Sequence, residues 1–187
     1  MGIRYTDIDG FCGYGKLYEE IIESAQDGAI IVELGSFKGR STSYLLELAN
    51  KSGKELSIYA VDHFQGSEEH AKIDYFSIFK NNMDNLEFKY PYITIQKDSV
   101  EASKEFADNS IDFMMIDASH DYDNVKRDIL CWMPKIKAGG MLAGDDYDWP
   151  GVSAAVNELL PDRLVFPRTG GDCRFDIYAG NYWVKTL

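Results

Sequence analysis

The amino-acid sequence predicts an α/β fold, a doubly wound and mostly parallel sheet with helices on both faces. Short continuous apolar runs alternate along the chain with segments in which apolar residues recur every three or four positions. Two of the apolar runs end directly in an acid, Asp62 after residues 56–61 and Asp117 after residues 111–116. With 187 residues, 45% of them hydrophobic, the chain fits one domain spanning 1–187. We expect 1–29 to form an N-terminal arm and helix, and 30–187 to form the core.

The prediction depends most on the first strand and the turn after it. Residues 30–32 are continuously apolar, as in a strand buried on both faces. The turn that follows contains Gly35 and Gly39, and residues 41–49 then have helical apolar spacing. Strand, glycine turn and helix build a crevice at the carboxyl end of a parallel sheet. The free N–H groups of the helix amino terminus favour a carboxylate or phosphate there.

The remaining elements follow in chain order. Helices are predicted at 14–26, 71–85, 100–107, 122–137 and 152–160. Strands are predicted at 56–61, 92–96, 111–116, 141–143, 164–166 and 182–185, the last two as an antiparallel pair. Gly139 and Gly140 are expected to cap the helix that ends at residue 137. Residues 1–13 are interpreted as an arm or lid, and 64–91 as a pocket wall.

The composition disfavours some classes of binding partner. Lys and Arg number 19 against 31 Asp and Glu, a formal net charge of −12, which disfavours nucleic acid and anionic membrane surfaces. No apolar run approaches the roughly 18 residues that span a bilayer. The three scattered cysteines, Cys12, Cys131 and Cys173, are interpreted as reduced thiols of a cytoplasmic protein.

Asp62 and the glycine turn together indicate the cofactor. Asp62 lies 27 positions after Gly35, where a carboxylate can accept two hydrogen bonds from a ribose diol. A dinucleotide turn would place glycines at the positions of Phe37 and Arg40, so that backbone lies against a pyrophosphate. A nucleoside without pyrophosphate fits better, and S-adenosylmethionine is such a ligand. The alternative is an ordinary βα turn with Asp62 as a solvated strand end.

Each part of that ligand has candidate partners. Glu33 is expected to contact the ammonium group of the ligand directly or through water. The backbone N–H groups of residues 35–41 are expected to bind its carboxylate. Asp98 and Ser99 end the third strand, where they recognise an adenine edge or cap a helix. The predicted cofactor site comprises Glu33, Gly35, Ser36, Gly39, Ser41, Asp62, His63, Asp98, Ser99 and Asp117.

A second cluster follows two neighbouring strands. Asp117, Asp145 and Asp146 converge at one sheet edge and repel one another unless a cation or proton intervenes. Carboxylates are ligands that Mg²⁺ prefers, so the three predict a metal site that holds a substrate hydroxyl. His120 lies three residues beyond Asp117 and is the predicted proton acceptor. The alternative makes Asp145 or Asp146 a helix cap and His120 a surface residue.

These motifs match a known family over about residues 30–160. The chain resembles class I S-adenosylmethionine-dependent methyltransferases, and within them the macrocin-type sugar and antibiotic O-methyltransferases. The matching segments are Val32-Glu33-Leu34-Gly35-Ser36-Phe37-Lys38-Gly39-Arg40-Ser41, Val61-Asp62-His63-Phe64, Ser110-Ile111-Asp112-Phe113, Ile116-Asp117, His120-x-Tyr122-x-x-Val125-x-x-Asp128-Ile129 and Gly139-Gly140…Gly144-Asp145-Asp146-Tyr147.

The resemblance implies a seven-stranded Rossmann-like sheet with an antiparallel last strand. It also implies Glu33, Gly35, Ser41, Asp62 and Ser99 in the cofactor site, and Mg²⁺ on Asp117, Asp145 and Asp146. Several relatives carry a second Asp as candidate base where this chain has Ser119, which shifts the predicted base to His120.

The expected function is Mg²⁺-assisted O-methylation of a small hydroxylated metabolite or sugar, with Asp117 and His120 as catalytic residues. The alternatives are a metal-independent methyltransferase, a non-catalytic S-adenosylmethionine-binding module and an NAD-dependent oxidoreductase. The sequence does not name the acceptor. It leaves the oligomeric state open, with a homo-oligomer that exchanges the N-terminal arm as one option.

Overall fold

The computed structural model describes residues 2–66, 72–168 and 180–187. The strands are β1 Ile30–Leu34, β2 Ser57–Asp62, β3 Ile93–Gln96, β4 Ile111–Ile116, β5 Ile136–Gly144, β6 Leu164–Pro167 and β7 Asn181–Thr186. The helices are α1 Gly15–Ser24, α2 Arg40–Ser52, α3 Tyr75–Asp84, α4 Ser99–Ser103, α5 Tyr122–Trp132 and α6 Pro150–Leu159. No helix within these ranges has the length and apolar character needed to cross a bilayer.

The strands form one seven-stranded sheet in the order β3-β2-β1-β4-β5-β7-β6. Strands β1 to β5 pair in parallel, and β7 runs antiparallel to both of its neighbours, β5 and β6. The predicted fold, mostly parallel with an antiparallel last strand, is confirmed. The strand order reverses between β1 and β4, and ligands of open α/β sheets bind at the carboxyl ends of the strands at such a point.

Residues 30–32 of strand β1 are continuously apolar because both faces of the sheet are covered. Ile31 packs into a core with residues of α1, α2 and α3, while Val32 and Leu34 pack into a second core with residues of α4, α5 and α6. The three side chains are at most 3% exposed. This two-sided burial fixes β1 firmly and so determines where its carboxyl end points.

The end of helix α5 differs from the prediction. A helix was expected through residue 137, but α5 ends at Trp132 and a 3₁₀ turn follows at Met133–Lys135. Pro134 lacks the N–H that a continuing helix would need. Gly139 and Gly140 lie inside β5, so their expected role as a helix cap is wrong.

The N-terminal arm is packed onto the domain. Tyr5, Ile8 and Cys12 are buried, and the Tyr5 ring lies 4.7 Å from the Tyr44 ring of α2, centroid to centroid. Cys131 is a free thiol, as expected, but Cys12 is disulfide-bonded, so the expectation of reduced thiols is wrong for Cys12. Cys173 lies outside the described residues.

Candidate functional site

A cavity of about 840 Å³ opens at the carboxyl ends of the central strands, within the size range of small-molecule sites. It brings together most of the residues that the sequence predicted for the site. Those lining it are Gly35, Ser36, Ser41, Asp62, His63, Asp98, Ser99, Asp117, His120, Asp145 and Asp146. Two predicted residues, Glu33 and Gly39, are not part of its lining.

Gly35 lets the turn after β1 cross the end of β4 in direct contact. Its φ is +96°, and a Cβ there would lie 1.7 Å from the backbone oxygen of Asp117. Gly39 serves the packing of a helix instead. Its φ is +91°, it directly precedes α2, and a Cβ there would meet Met83 Cε at 2.4 Å. Gly39 therefore makes room for helix α3, which explains why it does not face the cavity.

Asp62 is held in a fixed orientation at the end of β2. Its Oδ2 accepts a hydrogen bond from Phe37 N–H at 2.8 Å, and its Oδ1 accepts one from Phe64 N–H at 2.6 Å. Each carboxylate oxygen retains a further lone pair for a ligand. Phe37 and Phe64 both have positive φ, 47° and 57°, an uncommon conformation for bulky residues that these hydrogen bonds help to hold. His63, beside Asp62, also faces the cavity.

Glu33 lies beneath the cavity. It is fully buried; Oε1 accepts a hydrogen bond from Tyr18 OH at 2.7 Å, and Oε2 accepts one from the hydroxyl of Thr42. Burial raises the pKa of Glu33, although hydroxyl hydrogen bonds from Thr42 and Ser41 oppose the rise. This arrangement offers no direct contact with a ligand ammonium, and the predicted contact through water stays a prediction.

Asp98 and Ser99 occupy the far end of the cavity. Asp98 caps α4, since its side chain accepts a hydrogen bond from Val100 N–H at 2.9 Å. Ser99 Oγ accepts a hydrogen bond from Trp132 Nε1 at 2.9 Å. The cap predicted as the alternative role of Asp98 is therefore present, and the adenine contact stays a prediction.

The acidic cluster faces the cavity from β4 and β5. Asp117 Oδ2 accepts a hydrogen bond from Tyr14 OH at 2.9 Å. Asp117 keeps part of its surface open to the cavity, but desolvation of its carboxylate and the charges of Asp145 and Asp146 raise its pKa well above the usual range. A proton on Asp117 relieves part of the repulsion that three neighbouring carboxylates create.

Arg168 provides the positive charge between the other two acids. Its Nε donates to Asp145 Oδ1 at 2.8 Å, and its Nη2 lies 2.8 Å from Asp145 Oδ2 and 2.5 Å from Asp146 Oδ1. Burial raises the pKa of Asp145 to about 6, although the hydrogen bond from Arg168 opposes the rise. Burial would also raise the pKa of Asp146, but His120 and Arg168 outweigh it and the pKa is lowered.

His120 contacts both an acid and an aromatic ring. Its Nε2 lies 3.0 Å from Asp146 Oδ2. Its imidazole stacks on the indole of Trp149, with ring centroids 4.5 Å apart and an interplanar angle of 23°. His120 is therefore fixed in position within the cavity wall, as a proton acceptor requires.

The predicted magnesium ligands are not assembled as a set. Among the described residues, ligand atoms of Asp117, His120 and Asp146 lie within 4.8 Å of one another, and Asp145 is not in that group. Both oxygens of Asp145 instead lie 2.8 Å from nitrogens of the Arg168 guanidinium. An imidazole in place of a carboxylate is also a poorer partner for Mg²⁺. The donor set does not fit Mg²⁺ with Arg168 in this position, and magnesium binding stays a prediction.

Sequence reasoning assigned no role in the site to three residues that shape it, although one of them, Asp128, lies in a segment that matches the family. Arg168 lies 22 positions after Asp146, outside every motif, and no sequence signal indicated it. Tyr14 was expected only as the start of a helix. Asp128 was detectable, because it falls on the apolar face of α5, between Val125 and Trp132 in helical spacing.

A family profile described as a methyltransferase domain matches residues 32–147, more than half of the chain. The chain belongs to this methyltransferase family. The expectation of a methyltransferase is thereby confirmed, and the alternative of an NAD-dependent oxidoreductase is wrong. The macrocin-type branch stays a prediction.

Relatives of this methyltransferase are distant. An uncharacterised protein of Acanthamoeba polyphaga mimivirus is 29% identical over 143 residues, which cover 73% of this chain and 62% of that protein. The chain thus spans less than two thirds of that relative. The O-methyltransferase from Bacillus cereus in complex with SAH has a TM-score of 0.62 at 18% identity, covering 96% of this chain and 83% of that one. An rRNA methylase from Streptococcus thermophilus has a TM-score of 0.63 at 14% identity, covering 92% and 95%.

Proposed function

We propose that this methyltransferase transfers the methyl group of S-adenosylmethionine to a hydroxyl of a small hydroxylated metabolite or sugar. The observation that carries the proposal is the presence, in one cavity, of an oriented acid at the end of β2 and a histidine paired with an acid. Asp62 supplies the first, and His120 with Asp146 supplies the second.

The described residues fit this cofactor. The lone pairs that Asp62 retains suit a ribose diol, and the absence of glycine at Phe37 disfavours a pyrophosphate. No side chain caps the amino terminus of α2, a helix of 13 residues, so its first N–H groups are not taken by a side-chain cap and suit the cofactor carboxylate. When bound, S-adenosylmethionine supplies a methyl group on a positively charged sulfur.

His120 is the proposed proton acceptor. Asp146 accepts a hydrogen bond from Nε2–H and so holds the imidazole in a fixed orientation. Bound S-adenosylmethionine would supply the methyl group, and its sulfur would keep the electrons of the broken carbon–sulfur bond, while the imidazole of His120 accepts the proton of the attacking hydroxyl. The protein otherwise aligns the two reactants, and orientation can contribute about 7–11 kcal/mol of barrier reduction.

A small acceptor fits the charge and the shape of the site better than RNA does, although one structural neighbour is named as an rRNA methylase. A net charge of −12 repels a phosphate backbone. Phe11 and Trp149, 55% and 45% exposed, line the cavity and offer apolar ring faces against which a sugar or planar metabolite can pack.

The proposal is tested by His120→Gln in a transfer assay with a panel of hydroxylated metabolites and sugars. We expect turnover to fall by about 10²–10⁴-fold, the usual contribution of a positioned general base. Binding of S-adenosylhomocysteine, measured by calorimetry, should be unchanged. In Asp62→Ala, by contrast, that binding should be lost. Folded wild-type protein that gives no heat with S-adenosylhomocysteine would contradict the proposal.

A further inference from the structure

The guanidinium of Arg168 occupies the position where a cation was predicted. It makes a two-point contact with Asp145, through Nε and Nη2 at 2.8 Å each, and a third contact with Asp146 at 2.5 Å. Its side chain is 15% exposed, so these contacts are largely withdrawn from solvent. Planar two-point pairing with a carboxylate is the strongest geometry that arginine offers.

The fold provides a slot for this side chain. Arg168 directly follows β6, and its backbone N–H donates to the oxygen of Gly180 at 2.8 Å. A Cβ at Gly13 would lie 2.5 Å from Arg168 Cδ, and one at Gly180 would lie 2.9 Å from its Nη1. The N-terminal arm, the start of β7 and the turn after β5 therefore meet around Arg168. The first two have a glycine, Gly13 or Gly180, where the arginine side chain passes. Such a slot distinguishes Arg168 from a surface arginine that pairs by chance.

We infer that Arg168 takes the place of a divalent cation in this methyltransferase and that its acceptor site operates without Mg²⁺. The inference rests on the proposed function for the identity of the acceptor. A guanidinium stays protonated at any working pH, and here it pairs with both carboxylates that follow β5 and offsets one of their two charges. A divalent ion on Asp146 would stand next to this fixed positive charge, which opposes its binding.

A guanidinium does not act as a metal does. It cannot ligate the acceptor oxygen and lower its pKa, so proton removal falls to His120. Arg168 contacts Asp146, and Asp146 contacts His120, which makes Arg168 a positioning residue for the base. This chain of contacts explains how one arginine can both neutralise the acids and keep the imidazole oriented.

The test is a titration of the full chain with Mn²⁺. Electron paramagnetic resonance measures the concentration of free Mn²⁺ at each step. Wild type, Arg168→Met, Arg168→Lys and Arg163→Met are compared. Arg163 is the matched control, because its hydrogen bonds go to Tyr147 and Pro161. Thermal melts with and without Mg²⁺, and calorimetry with S-adenosylhomocysteine, accompany each titration. Neither metal measurement depends on methyl transfer, so the inference and the proposed function can fail separately.

We expect wild type, Arg168→Lys and Arg163→Met to bind no Mn²⁺ at this site at millimolar concentration. Arg168→Met should bind one Mn²⁺ ion with a dissociation constant at least about tenfold lower than the lower limit measured for wild type, because a neighbouring positive charge is gone. Adding Asp146→Asn should abolish that binding, and Mg²⁺ should raise the melting temperature of Arg168→Met alone. The inference would be overturned if wild type bound Mn²⁺ tightly and Asp146→Asn removed that binding. This outcome does not depend on whether Arg168→Met folds. A folded Arg168→Met that binds no ion would overturn it as well.

Discussion

Asp128→Asn is expected to stabilise the ligand-free protein at pH 8, because the wild-type carboxylate is buried with too few partners. The Asp128 side chain on α5 is 3% exposed. Its Oδ1 accepts no hydrogen bond from residues 2–66, 72–168 or 180–187, and Arg127 Nε lies 3.7 Å away. Burial raises the pKa of Asp128 to about 6, against opposing effects of the Ser99 hydroxyl and of Arg127. Asparagine has the same shape and carries no charge to desolvate.

The size and sign of the effect follow from this pKa. A carboxyl whose pKa is higher in the folded than in the unfolded state binds more protons when folded, so its contribution to stability falls as pH rises. The loss begins near the ordinary value of 3.8 and is complete above about 6. A difference of about two units corresponds to about 3 kcal/mol at full ionisation, of which about 1.5 kcal/mol is lost between pH 5 and pH 8.

Urea unfolding at pH 5 and pH 8 measures the effect. The free energy of unfolding of Asp128→Asn, relative to wild type, should increase by about 1.5 kcal/mol between the two pH values. Asp123→Asn is the control, since Asp123 is exposed on the first turn of the same helix, and it should show no such increase. An equal difference at both pH values, or a variant less stable than wild type at pH 8, would refute the reasoning.

Three further substitutions, with Gly28→Ala as a control for the first, test the residues that build the site. Gly35→Ala should destabilise the fold by more than the about 1–2 kcal/mol that a left-handed backbone costs alanine, because its Cβ would overlap the end of β4. Gly28→Ala, with φ at +82° and open space around it, should cost only that amount in the same urea titration. Tyr18→Phe should lower the free energy of unfolding by about 1–3 kcal/mol, because buried Glu33 loses a donor. Trp149→Ala should raise the acceptor KM by about three- to tenfold while calorimetry with S-adenosylhomocysteine is unchanged.

The parts of the fold that the sequence predicts well are those determined locally. Strand β4 was predicted at the residues where it lies, Ile111–Ile116, because a short apolar run buried on both faces has few other solutions. The end of α5 was not predicted correctly. The apolar spacing of the helix continues by chance through Met133 to Ile136, which is the first residue of β5. Pro134 was the competing signal, and it decides the boundary.

The cavity was predictable to a similar degree for a related reason. Parallel strands end at one edge of a sheet, so acids that follow neighbouring strands meet without any detailed knowledge of the loops. Asp117, Asp145 and Asp146 were placed together on this argument, and all three line the cavity, as does Asp62, which was predicted from the glycine turn and the strand before it. Glu33 was also predicted for the site, but it does not line the cavity, because tertiary hydrogen bonds from Tyr18 and Thr42 engage its two oxygens.

The charge balance of the acidic edge shows why a metal was the natural expectation and why the structure leaves little need for one. Three carboxylates side by side require a cation or a proton, and near these motifs the sequence contains no obvious cation. The fold supplies both from elsewhere: the antiparallel pair β6 and β7 returns Arg168 to Asp145 and Asp146, and burial favours a proton on Asp117. The raised pKa of Asp117 and the pairing of the other two acids with a guanidinium both reduce the excess negative charge that would attract a divalent ion. On the inference drawn above, an ion would be required only if Arg168 were removed, and the position of this one arginine would decide between metal-assisted and metal-free transfer.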